Sequence, residues 1–174
     1  VGVAAGNGAD CPTVVESART IPLAHEVDVV VVGGSTGGVA AAVAAAEQGA
    51  SVLLLAPRPY LGEDLCATLR LDEQTTPLRI KKELDESLLA AKVPFLLGCY
   101  ATDVLQDAEG KPAGIVIANR AGRQAVVAKV IIDATDRAWA ARLAGATACP
   151  WPAGKQVFER VVVLPSSFDV SVPE

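Results

Sequence analysis

Two short apolar runs, joined by a stretch rich in glycine and alanine, dominate the hydrophobic pattern of this chain. The first run, Val27–Val32, is almost unbroken and β-branched, as is typical of a parallel strand buried on both faces. A glycine turn, a helix of small residues and a second apolar strand ending at Ala56 follow directly. This order predicts a βαβ unit of the kind that binds dinucleotides.

The predicted helix of this unit has one nearly bare side. Its small residues recur at spacings of four, three and four and therefore share one helix face: Gly38, Ala42, Ala45 and Gly49. We expect this face to approach the sheet closely.

Further along, the pattern changes from helical to alternating. An amphipathic surface helix is predicted over Leu78–Lys92, with Pro94 closing it and a short strand at Phe95–Cys99. The apolar positions of this helix are Leu78, Leu84, Leu88 and Leu89. Three alternating segments separated by polar turns then predict a β-meander, over Thr102–Gln106, Gly114–Asn119 and Gln124–Val130.

The glycine turn contains the candidate phosphate-binding residues. Gly33 allows a tight turn, and Gly38 allows the helix to pack close to the strand before it. The amides at the helix N-terminus then face a pyrophosphate, and Ser35, which stands where a second glycine is usual, adds a hydroxyl donor. The candidate phosphate-binding residues are therefore Gly33, Gly34, Ser35, Gly37 and Gly38. The alternative is a turn between strand and helix that holds no ligand.

The end of the second strand departs from the usual dinucleotide pattern. An acid that accepts hydrogen bonds from the ribose hydroxyls is expected there, whereas this chain has Ala56. Arg58 follows and could hold the 2′-phosphate of NADP, contact the adenosine or pyrophosphate of a flavin nucleotide, or lie in solvent.

The segment after this strand, RPYLGEDLCATLRL, resembles the corresponding loop of FAD-dependent oxidoreductases of the glutathione-reductase-like superfamily. The resemblance implies that Arg58, Tyr60, Leu61 and Gly62 lie beside the pyrophosphate and ribityl chain of FAD. Glu63 replaces the second glycine of that loop.

A second segment resembles the same family. Lys129–Asp136, KVIIDATD, and the residues after it resemble the strand and helix that these flavoproteins place against FAD, which implies that Thr135 and Asp136 are cofactor neighbours. Asp136 is also the expected N-cap of a helix over Arg137–Leu143. The predicted fold class is therefore α/β, a Rossmann-like parallel sheet with flanking helices and the β-meander as a crossover.

The expected organisation is an N-terminal extension at 1–26, an FAD-binding domain at 27–150 with its meander at about 101–128, and the start of a following region at 151–174. Lys155–Leu164 is expected to open that region with a strand. The resembling flavoproteins are longer, so we expect an incomplete FAD-binding domain, completed by a missing C-terminal half or by another polypeptide.

Composition limits the classes of partner that this chain is expected to bind. A net charge of −5 without a dense basic cluster argues against nucleic acid, and no apolar run is long enough to span a bilayer. We therefore expect a soluble domain, cytoplasmic or exported after processing. The single histidine, His25, and four cysteines without C-x-x-C spacing predict no metal site. Cys66 is expected to be a buried thiol, with a flavin-linked redox role as the less favoured alternative.

These observations predict the FAD-binding part of a flavin-dependent oxidoreductase that acts on a small molecule, with catalytic groups supplied from outside this chain. Two alternatives stay open. One is an NADP-binding reductase, favoured by Ala56 and Arg58. The other is a non-catalytic protein that retains the fold, favoured by the departures at Ser35, Ala56, Glu63 and Asp136.

Overall fold

The structure is a computed structural model, and it describes residues 18–68, 71, 75–147, 149, 153–155 and 157. The extension up to residue 17 and most of the strand predicted at Lys155–Leu164 lie outside the described residues. Within the described ranges the elements are, in chain order, β1 (Leu23–Val32), α1 (Thr36–Glu47), β2 (Val52–Ala56), α2 (Glu63–Cys66), α3 (Pro77–Ala90), β3 (Phe95–Leu97), β4 (Tyr100–Gln106), β5 (Pro112–Asn119), β6 (Gly122–Asp133) and α4 (Trp139–Leu143).

The strands form one sheet in the order β3-β2-β1-β6-β5-β4. Strands β3, β2, β1 and β6 run parallel, and β6, β5 and β4 pair antiparallel as the meander. The predicted α/β Rossmann-like class is therefore confirmed, as a mixed sheet. The last meander strand and the strand predicted over Lys129–Asp136 are both parts of β6, so the meander joins the parallel sheet without a break.

Both faces of the central strands are buried, as the β-branched run predicts. Val29 and Val31 pack with residues of α1 and α3 on one face. Val30 and Val32 pack on the other face with Ile115 of β5. The meander, together with Ala140 of α4, thus covers the face opposite α1 and α3, and the parallel strands lie between two covering layers.

Several element boundaries differ from the sequence prediction. Strand β1 begins at Leu23, inside the predicted extension, because Leu23 pairs with Ala125 of β6. Helix α1 ends at Glu47, so Gly49 lies beyond it, exposed and with a φ of +84°, and takes no part in the contact with the sheet.

The buried face of α3 is also shifted. Ile80 and Leu88 are buried, whereas Leu78 and Leu89 are largely exposed. The helix begins at Pro77 with the Thr76 side chain capping it, and this start directs the Ile80, Leu84 and Leu88 stripe inward.

Strands β1, β2 and β6 end at the same edge of the sheet, where α1 begins. The chain leaves β1 toward β2 on one side, while β6 lies on its other side. A crevice at such a change of direction is where open α/β sheets bind their ligands. The helices of the described segments include none with the length and apolar character of a membrane span.

Candidate nucleotide-binding site

The glycine turn between β1 and α1 packs directly on the loop after β6. A side chain on Gly33, whose φ is +122°, would collide with the Ala134 carbonyl. A side chain on Gly38 would collide with the Gly33 carbonyl, and one on Gly34 would come within 2.7 Å of the Ala56 methyl. These glycines therefore bring the ends of all three strands together around the start of α1.

Ser35 is the N-cap of α1. Its Oγ accepts a hydrogen bond from Gly38 N at 3.1 Å and donates one to the Ala134 carbonyl at 3.2 Å. The hydroxyl thus ties α1 to the loop after β6, and its predicted donation to a phosphate stays a prediction.

Gly37 provides an open backbone donor in the turn. Its N–H has no acceptor among the described residues, and a side chain there would meet only Ser35 Oγ, at 3.9 Å. Because the dipole of α1 adds positive potential at this point, the Gly37 amide is suited to an anionic oxygen.

Asp64 was not predicted from the sequence, yet it contacts the same helix end. Its Oδ1 accepts from Thr36 N at 3.0 Å, and its Oδ2 accepts from Thr36 Oγ1 at 2.6 Å. These residues are brought together by the loop between β2 and α2, and no local periodicity in the sequence indicates the pair.

The loop residues Tyr60, Leu61 and Gly62 support the glycine turn from behind. Leu61 is fully buried, and Gly62 N donates to the Gly34 carbonyl at 2.7 Å. The Tyr60 ring lies under Lys81 of α3, with Nζ 3.8 Å from the ring centroid. These residues lie next to the turn but do not line the cavity of about 910 Å³ on its other side. Their predicted contact with a cofactor stays a prediction.

Arg58 and Glu63 form an ion pair above the end of β2. Arg58 Nε lies 3.2 Å from Glu63 Oε2, and the Arg58 side chain is 62% exposed while that of Glu63 is 26% exposed. The pair leaves Arg58 partly neutralised and keeps the Glu63 carboxylate in place.

The loop after β6 is organised by Asp133, which was not predicted from the sequence as a site residue. Its Oδ1 accepts from Thr135 N and Oγ1 at 3.0 and 2.7 Å, and its Oδ2 accepts from Ala141 N at 2.8 Å. Thr135 Oγ1 in turn accepts from Trp139 N at 2.7 Å. The prediction of Asp136 as a helix cap is therefore wrong, since α4 begins at Trp139 and its first amides are satisfied by Thr135 and Asp133.

Two adjoining cavities lie at this edge of the sheet. The larger, about 910 Å³, is lined by residues of the glycine turn and its neighbours: Ser35, Thr36, Gly37, Pro57, Arg58, Glu63, Asp64, Ala67, Thr68, Tyr100, Ala134, Thr135 and Asp136. The smaller, about 240 Å³, is lined by Val32, Pro57, Glu63, Cys99, Tyr100, Ala101, Thr135, Asp136 and Trp139. Five residues are common to both cavities: Pro57, Glu63, Tyr100, Thr135 and Asp136.

The smaller cavity has the character of a site for a flat ring. Tyr100 and Trp139 lie at its wall, and Trp139 Nε1 donates to the Ala101 carbonyl at 3.0 Å, which fixes the indole. Burial raises the pKa of the Cys99 thiol in this wall, so Cys99 behaves as an apolar group. Cys66, as expected, is a buried free thiol; its Sγ lies 3.6 Å from the Pro77 carbonyl.

The fold is similar to that of several solved proteins. A geranylgeranyl bacteriochlorophyll reductase-like protein from Thermoplasma acidophilum has a TM-score of 0.56 at 22% identity, over 70% of this chain and 42% of that one. THI4 from Thermovibrio ammonificans gives 0.53 at 19% identity, over 70% of this chain and 64% of that one. The L-proline dehydrogenase of P. horikoshii has a TM-score of 0.53 at 23% identity, over 68% of this chain and 24% of that one.

The matched part of this chain therefore corresponds to less than two thirds of each of these three proteins. At these identities the likeness concerns the fold. No curated protein sequence matches the chain significantly.

The family assignment comes from the sequence profile described as FAD dependent oxidoreductase, which matches residues 28–71 and 66–157. The two matched ranges cover more than half of the chain and contain the glycine turn, the loop after β2, the meander and the loop after β6. The resemblance found in the sequence is thereby confirmed, and the cofactor of the matched family is FAD. This chain belongs to the FAD-dependent oxidoreductase family.

Proposed function

We propose that this chain is the FAD-binding part of a flavin-dependent oxidoreductase and that FAD lies along the sheet edge in the two adjoining cavities. The observation that carries the proposal is the Gly37 amide, which has no acceptor among the described residues and belongs to the lining of the 910 Å³ cavity at the N-terminus of α1. A helix N-terminus with a free amide in a cavity of this size suits the pyrophosphate of a dinucleotide.

The rest of the site fits the other parts of the cofactor. The adenine takes the smaller cavity beside Tyr100 and Trp139, where apolar and aromatic groups replace water. The ribityl chain runs past Ala67 and Thr68 in the larger cavity. Bound FAD would supply hydride or electron transfer, whereas the residues of this chain bind and orient the nucleotide.

The substrate is proposed to be a small molecule that is held mostly by protein outside this chain, supplied by the rest of the same polypeptide or by a second one. The short span of this chain relative to its structural neighbours supports that division. No residue described here is assigned a catalytic role.

FAD is favoured over NADP because Arg58 is already paired with Glu63. A 2′-phosphate placed at Arg58 would meet the Glu63 carboxylate as well, and the two negative charges would repel each other.

Isothermal titration of the purified chain with FAD and with NADPH tests this function. We expect FAD to bind and NADPH to bind at least tenfold more weakly. Binding of NADPH alone would support a reductase of the NADP class. Binding of neither nucleotide would support a fold that has lost its cofactor.

A further inference from the structure

The first observation is that the end of β2 offers no acceptor for ribose hydroxyls. Ala56 is fully buried, and its methyl lies close beneath Gly34. Its carbonyl already accepts from Cys99 N at 3.0 Å. A dinucleotide that depends on an acid at this strand end must therefore find its acceptor elsewhere.

The second observation is the position of Glu63 between the two cavities. In the proposed binding mode, on which this inference rests, the adenosine ribose joins the phosphate subsite at Gly37 to the adenine subsite at Trp139. The ribose must then pass the wall that the cavities share. Glu63 and Asp136 are the acids in that wall.

The third observation separates these two acids. Glu63 Oε2 is held by Arg58 at 3.2 Å, and Oε1 has no hydrogen-bond donor among the described residues. The Glu63 side chain is only 26% exposed, so one carboxylate oxygen is fixed and the other is free to accept. Asp136 is exposed in the turn before α4 and has no such anchor among the described contacts. A carboxylate that is already positioned loses less conformational entropy when it binds a ligand.

From this arrangement we infer that Glu63 is the ribose acceptor of the site and replaces the acid that is missing at Ala56. Glu63 is a specificity-determining residue because its carboxylate accepts from the adenosine ribose hydroxyls and repels a phosphate at the 2′ position. Arg58 acts through Glu63 as a positioning residue.

The test compares ADP with 2′,3′-dideoxy-ADP, which lacks both ribose hydroxyls, by calorimetric titration of the 174-residue chain. The unaltered chain should bind ADP about tenfold more tightly than the dideoxy analogue, as expected for a hydrogen bond to a charged group. In Glu63→Gln this preference should fall to about twofold or less, whereas the matched variant Asp136→Asn should keep it.

Two results would overturn the inference while leaving FAD binding intact. One is equal affinity of the unaltered chain for ADP and the dideoxy analogue, and this result does not depend on how any variant folds. The other is a preference for ADP over the dideoxy analogue that is lost in Asp136→Asn and kept in Glu63→Gln, which would make Asp136 the acceptor. Failure of ADP and FAD alike to bind would overturn the proposed function together with this inference.

Discussion

Asp64 accepts two hydrogen bonds from Thr36, one from its backbone N–H at 3.0 Å and one from its hydroxyl at 2.6 Å. This contact satisfies the first amide of α1 with a carboxylate from α2. The Gly37 amide, which has no acceptor among the described residues, lies at the same helix end, next to a fixed negative charge. The helix is thereby stabilised by a group that also opposes the binding of an anion there.

Replacing Asp64 by Asn should change stability and cofactor affinity in opposite directions. The amide oxygen keeps one hydrogen bond from Thr36 but loses the charge, so we expect a loss of about 1 kcal/mol in the free energy of unfolding. Removal of the charge should strengthen FAD binding by about three- to tenfold. Urea unfolding and FAD titration measure the two effects. Weaker FAD binding in Asp64→Asn would show that the carboxylate contributes to binding and does not oppose it.

A side chain at Gly62 should destabilise the fold, for two separable reasons. Its φ is +76°, and a Cβ would lie 2.8 Å from Leu84 Cδ1. We expect Gly62→Ala to lower the free energy of unfolding by about 2–4 kcal/mol, as the sum of backbone strain and crowding in the core.

Gly110→Ala is the matched control for this prediction. Gly110 has a φ of +78°, and a Cβ there would meet nothing within 4 Å. It should lose only the strain contribution of about 1–2 kcal/mol. Urea unfolding measures both variants. Equal losses of unfolding free energy in Gly62→Ala and Gly110→Ala would mean that crowding against Leu84 of α3 does not contribute to the loss.

Asp28, in the first half of β1, should make the free energy of unfolding depend on pH. It lies at the end of the sheet opposite the proposed nucleotide site. Hydrogen bonds from Lys129 Nζ at 2.6 Å, and then from Ser51 Oγ at 2.6 Å, hold the pKa of its carboxyl well below the usual 3.8. Because the folded pKa is the lower one, the stabilisation is present above the ordinary pKa and is lost as pH falls toward the folded value.

The comparison of the unaltered chain with Asp28→Asn measures this effect. The difference between the two proteins in the free energy of unfolding should be largest near neutral pH and should decrease below about pH 4. FAD affinity should be unchanged in this variant, because Asp28 lies away from the carboxyl ends of the strands. A gap that stays constant with pH would show that ionisation of Asp28 does not contribute.

The elements that follow local rules could be predicted from the sequence, and those that depend on distant contacts could not. The apolar run of β1 and the glycine turn to α1 are local signals, and both lie where they were expected, apart from the earlier start of β1 at Leu23. The pairing of Asp64 with Thr36 depends on the path of a loop, which no periodicity reports.

The start of α4 illustrates the same limit. Asp136 has the composition and position of an N-cap, but Asp133 and Thr135 bind the available amides first, and Ala138 takes up a left-handed conformation with a φ of +49°. The chain therefore enters the helix later than the capping preference of Asp predicts. The buried face of α3 differs from the prediction for a similar reason, because only packing beside Gly62, in the loop before α2, distinguishes Ile80 from Leu78.

The most direct test of the central claim, that a flavin nucleotide binds at the start of α1, is FAD titration of two variants at Gly37. A side chain fits there, since a Cβ meets only Ser35 Oγ, at 3.9 Å. Gly37→Glu adds a negative charge that the helix dipole favours, so the fold should persist, whereas Gly37→Gln has nearly the same shape without the charge. FAD should bind Gly37→Glu at least tenfold more weakly than Gly37→Gln, because the carboxylate repels the pyrophosphate. Equal FAD affinities in the two folded variants would contradict the claim.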